Sequence, residues 1–83
     1  MLFNKTAEEM FKELGYGCIT TSYVIIYTNY KTLDCITFFL QKEKVEFQHY
    51  LQDDEIEFKR SCNLLTSAEL KAVAVQLHEL GWV

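Results

Sequence analysis

The sequence predicts an α+β fold of order α-β-β-β-β-α, with two helices packed on one face of a four-stranded antiparallel meander. Three observations carry this. A capped, glycine-stopped helical pattern opens the chain, a second one closes it, and the stretch between is rich in β-branched and aromatic residues. Two amphipathic helices need an apolar surface to cover, and one face of a sheet supplies it.

The first helix starts from Thr6. Its hydroxyl can cap the helix, and Glu9 three residues later can reach back to the Thr6 amide, the reciprocal arrangement of a capping box. Ala7, Met10, Phe11 and Leu14 fall on one helical face, and Glu8, Glu9, Lys12 and Glu13 on the other. Gly15 stops the helix, because the left-handed conformation after the last turn costs glycine least. Tyr16 is then placed to pack back on Phe11.

Four strands follow, at Ser22–Thr28, Leu33–Leu40, Val45–Leu51 and Glu55–Cys62. The last two alternate, with Val45, Phe47, Ile56 and Phe58 inward and Glu46, Gln48, Glu57 and Lys59 outward. Short polar connections around Asn29, Lys42 and Asp53 make consecutive strands pair as a meander. The first two strands are apolar on both faces. Tyr23, Ile25 and Tyr27 oppose Val24 and Ile26, while Ile36, Phe38 and Leu40 oppose Cys35 and Phe39. The helices cover only one set, and the tyrosine set is expected outward, because its hydroxyls tolerate water.

The last helix repeats the plan of the first. Thr66 caps it, Glu69 completes a second capping box, and Leu65 is placed to staple onto Leu70. Leu70, Val73, Ala74, Leu77 and Leu80 form one apolar stripe. Gly81 ends the helix and lets Trp82 fold back on Leu77.

The 83 residues read as a single domain, 1–83, since no proline and only three glycines leave no segment that resembles a linker. Hydrophobic residues make up 49%, including six Phe, five Tyr and Trp82, which gives so short a chain large side chains to bury. The net charge of −4 argues against a general nucleic-acid binder, which carries a basic excess to displace counterions. Cys18, Cys35 and Cys62 are odd in number and widely spaced, as expected of free thiols in a reducing cytoplasm. Met1 to Phe11 has no basic stretch followed by an apolar run, so it does not read as a signal peptide. No apolar run approaches the length of about 20 residues that a membrane span needs.

Lys5-Thr6-Ala7-Glu8-Glu9-Met10-Phe11, Glu13-Leu14-Gly15-Tyr16 and the closing Glu79-Leu80-Gly81-Trp82 resemble a group of short uncharacterised proteins encoded by phages and prophages of Gram-positive bacteria. The resemblance covers the first helix and the last turn. It implies a mobile-element origin in bacterial cytoplasm and carries no activity with it.

No catalytic, cofactor or metal site is expected. The cysteines, His49 and His78 lack the close pairing of zinc ligands. His49 shares the face of Phe47 and could approach a cysteine on a neighbouring strand, but no motif supplies an oxyanion site, so a partly covered sheet residue is the favoured reading. Asp53, Asp54, Glu55 and Glu57 have no glycine among them to turn a calcium loop and read as a solvated hairpin tip. Gly15 and Gly17 are not followed by a helix, so they make no phosphate cradle. One arrangement stands out. Lys42, Lys44, Lys59 and Arg60 are expected at one end of the sheet, opposite Asp34, Asp53, Asp54 and Glu55 at the other, where Lys31 dilutes the charge. Such polarisation can orient an encounter with a charged partner.

The expected function is therefore a small protein-binding module of the cytoplasm, a phage accessory protein that binds a host protein, and not an enzyme. Its expected contact residues are Tyr23, Ile25 and Tyr27 with Lys42, Lys44, Lys59 and Arg60. A nucleic-acid-related binder or acidic mimic, and a structural homo-oligomer, are the alternatives.

Overall fold

The computed structural model describes residues 4–52, 57–61 and 65–83. Its elements are α1 (Ala7–Glu13), β1 (Tyr16–Thr20), β2 (Val24–Asn29), β3 (Asp34–Phe39), β4 (Lys44–Gln52), β5 (Glu57–Ser61) and α2 (Ser67–Glu79). The strands form one sheet in chain order, each pairing antiparallel with the next. The α+β class, the meander and the two helices on one face follow the expectation from sequence.

The strand count does not. Tyr16–Thr20 is a further strand on the outer edge of the sheet, where four strands were expected. Gly17 concealed it, because glycine is depleted in strands. Here it stands opposite Thr28, and a β-carbon on it would make ordinary contact with the Tyr30 ring at 3.7 Å. Of the expected fourth strand, Glu55, Ile56 and Cys62 lie outside the described residues, as do Asp53 and Asp54.

Both capping boxes form. Thr6 accepts from the Glu9 amide at 3.2 Å while Glu9 accepts from the Thr6 amide at 2.9 Å, and Thr66 and Glu69 repeat this at 3.1 and 2.8 Å. At the end of α2 the Trp82 amide donates to the Leu77 carbonyl at 2.9 Å and the Gly81 amide to that of His78 at 3.0 Å, a Schellman closure with Gly81 at φ +76°. It delivers the Trp82 ring to Phe38, 6.4 Å between centroids.

The register fixes the two faces. Cys18, Tyr27, Ile36 and Phe47 share one row across β1–β4, flanked by Ile25, Phe38 and Val45 on one side and Tyr16, Asn29, Asp34 and His49 on the other. The helices lie on this face. Phe11 of α1 stacks on Tyr27 at 3.9 Å and meets Tyr16 edge-on at 5.4 Å, and the Tyr27 hydroxyl donates to Gln76 of α2. Burial holds the Tyr27 phenol well above its ordinary pKa, so it remains a donor.

This overturns the expected outward tyrosine set. Tyr27 is 2% exposed at the heart of the core, and Ile25 packs against that core. Tyr23 precedes β2 and stands 64% exposed in the turn after β1. The sequence could not choose between two apolar faces. The choice falls on the face where a large ring can stack on Phe11 and where its hydroxyl finds an amide.

The face of α2 is likewise rotated from the expected stripe. Ala72, Val73, Val75 and Gln76 are buried, whereas Ala74 is exposed and Leu70 is 53% exposed. Polar side chains on the packed face cause the shift. Glu69, Gln76 and Glu79 each bond across to Tyr16, Tyr27 and the Ala7 amide, respectively.

Candidate interface on the open sheet face

Alternation sends the complementary residues to the side away from the helices. Read across the strands, Gly17, Thr28, Cys35 and Gln48 form one row. Ile19, Ile26, Thr37 and Glu46 form the next, and Val24, Phe39 and Lys44 the third. Cys35, Thr37 and Gln48 are buried, and the Thr28 hydroxyl lies 3.8 Å from the Cys35 sulfur, as does that of Thr37. The centre of this face is thus made of small or polar side chains of low exposure.

Toward the β1–β2 turn the face becomes apolar. Val24, Ile26 and Phe39 are half-buried and Ile19 is 55% exposed, with Tyr23 beside them in the turn. Phe39 also floors a shallow cleft of about 350 Å³ with Lys42, Lys44, Val45 and Glu46. Two of the expected basic contact residues therefore border the apolar patch.

The other two do not. Lys59 pairs with Tyr50 and Arg60 with His49, whereas Lys44 pairs with Phe39 at the opposite end of β4. The expected four-residue basic end does not form. Among the described residues β5 spans Glu57–Ser61, with Ser61 opposite Gln48, and so does not lie alongside Lys44.

His49 finds a carboxylate and not a cysteine. Its Nδ1 lies 2.8 Å from Asp34 Oδ1 on the helix face. Cys35, adjacent in sequence, points to the other side of the sheet, so alternation separates it from the imidazole. Asp34 also lines a cleft of about 230 Å³ with Leu14, Tyr16, Asn29, Thr32, Thr66 and Glu69. Among the described residues, no group of three or more His, Cys, Asp or Glu comes together as metal ligands do, and no helix is long and apolar enough to cross a membrane.

Comparison with protein-family models, with curated proteins and with solved structures gives no match to this chain. Its local geometry is therefore what bears on its role.

The sequence alone does not single out Ile19 and Phe39 for the open face. The signal for Phe39 was present, because its neighbours Phe38 and Leu40 must face the other way. Ile19 became readable only once its strand was known.

Proposed function

We propose that this chain is a small protein-binding module, a phage accessory protein acting in bacterial cytoplasm, and that it meets a host protein through the open face of β1–β3. One observation carries the reading: Ile19, Val24, Ile26 and Phe39 lie together on the sheet face away from both helices. Apolar groups gathered on a surface with a polar rim are the usual mark of a partner site. Tyr23, Lys42 and Lys44 supply that rim. The phage and cytoplasmic parts rest on the helix-1 and C-terminal resemblance and on the free thiols Cys18 and Cys35.

The test is affinity capture from a Gram-positive host lysate with the wild type and with Val24→Glu. Val24 is half-buried and outside the core, so the variant is expected to keep its circular dichroism spectrum while losing the captured protein. Retention of the same proteins by both baits would end the proposal.

A further inference from the structure

We propose that β1 pairs antiparallel with β1 of a second copy about a two-fold axis through Ile19, joining two five-stranded sheets into one. This goes beyond client binding, since it rests on the backbone edge and draws only Ile19 from the side-chain face.

The hydrogen-bond phase shows which groups the edge offers. The Thr21 amide donates to the Val24 carbonyl at 2.9 Å, and bonded pairs in an antiparallel ladder recur every second residue. Ile19 and Gly17 therefore exchange bonds with Ile26 and Thr28. The amides and carbonyls of Cys18 and Thr20 point the other way, where no described strand lies. The opposite side of β2 keeps the same phase, since the Leu40 amide donates to the Tyr23 carbonyl at 2.9 Å.

Charge selects the occupant. Edge strands avoid pairing with foreign chains by carrying lysine, proline or inward charges, and β1 has none. From Leu14 to Tyr30 the chain holds no charged residue at all, although the molecule carries a net −4. Two copies repel wherever carboxylates meet, as they would across the exposed Glu8, Glu9 and Glu13 of α1. Along this hairpin they approach without that cost.

The edge is also self-complementary. With the axis at Ile19, Cys18 stands opposite the second copy's Thr20, and Thr20 opposite its Cys18. Each pair exchanges two backbone bonds, and the contact is isologous as a closed dimer requires. Ile19 meets its own mate in the close, non-bonded position, with α-carbons about 4.5 Å apart. Both side chains lie on the open face, so the exposed apolar surface of Ile19 is covered by its twin.

Sedimentation equilibrium from low-micromolar to near-millimolar protein tests the pairing. The wild type is expected to dimerise reversibly. Thr20→Pro removes an outward backbone donor and the exposed contact of the Thr20 hydroxyl with the Cys18 sulfur, so the fold should persist while the dissociation constant rises about tenfold or more. Ile19→Cys, placed in a background with Cys18, Cys35 and Cys62 changed to Ser, should oxidise to a covalent dimer, because facing β-carbons in such a pair fall within disulfide reach. This cross-link decides the matter if Thr20→Pro fails to fold. A wild type that stays monomeric throughout overturns the proposal and leaves the edge to a strand of another protein. A dimer that neither weakens in Thr20→Pro nor cross-links through Ile19→Cys overturns it too.

Discussion

The Glu79 carboxylate, in the last turn of α2, accepts a hydrogen bond at 2.8 Å from the backbone amide of Ala7, the first residue of α1. One helix thus completes the cap of the other, and the negative charge sits at the positive end of the α1 dipole. Near its other end α2 offers Glu69 to the Tyr16 hydroxyl. α2 is thus anchored near both ends by carboxylates, to α1 through Glu79 and to β1 through Glu69, that a hydrophobic pattern assigns to solvent.

Glu79→Ala is expected to lower stability by about 1 kcal/mol, because Glu79 is exposed and its bond is partly screened. For a domain of this size that is a fall of roughly 4–8 °C in Tm, which a thermal melt by circular dichroism resolves. An unchanged melt would show that water replaces the carboxylate without loss.

Tyr27→Phe leaves the buried Gln76 carbonyl without its donor and should cost about 1–3 kcal/mol in urea unfolding. Adding Gln76→Leu removes the orphaned group, so the double variant should recover much of the loss. Phe11→Ala, which takes away the ring stacked on Tyr27, should cost about 3–5 kcal/mol. A double variant as weak as the sum of the two single changes would deny the coupling.

Alkaline pH should unfold the protein in part through Tyr27. Burial raises its pKa in the folded state, so above pH ~10 the unfolded chain releases a proton that the native one keeps. Stability from this group is whole below pH ~10 and declines as pH rises, by up to about 1.4 kcal/mol per pH unit. The slope of stability against pH in that range should be shallower in Tyr27→Phe.

Two positions with positive φ should respond in opposite senses. Gly15 is at φ +97°, and a β-carbon there would lie 3.3 Å from the Asn29 amide nitrogen, which donates to the Leu14 carbonyl. Gly15→Ala is therefore expected to cost about 1–2 kcal/mol. Glu43 adopts φ +52° on an exposed turn without being glycine, and Glu43→Gly should gain several tenths of a kcal/mol once the freer unfolded chain is discounted. Chemical denaturation of the pair checks both signs.

The elements with local signals were legible in the sequence. Thr6 with Glu9, Thr66 with Glu69, and Gly15 and Gly81 declare both helices, because a cap is a bond between near neighbours. The meander was legible from short polar turns. What stayed hidden depends on partners far along the chain. Tyr27 turns inward because Phe11 and Gln76 await it, and Gln76 reads as a surface residue until Tyr27 is placed. The open-face patch was half legible: the doubly apolar strands announced apolar residues on the face away from the helices, while Ile25 and Tyr27 belong to the opposite, helix-covered side. The basic group failed for want of a register, since among the described residues β5 does not lie alongside Lys44.

Because each strand bonds to the one that follows it, the sheet can assemble by successive hairpin closures across the turns at Tyr30–Leu33 and Leu40–Glu43. Loop-closure entropy is small for such steps, so much of the ladder is within reach early in folding. The helix layer is different. The contact between Ala7 and Glu79 spans 72 positions and must wait until the strands have brought both ends of the chain to one side. Contacts that form after the folding barrier govern how fast the native state comes apart and not how fast it is reached. Glu79→Ala should therefore speed unfolding while leaving the folding rate nearly unchanged, which makes the helix pair the element that sets the lifetime of the native state.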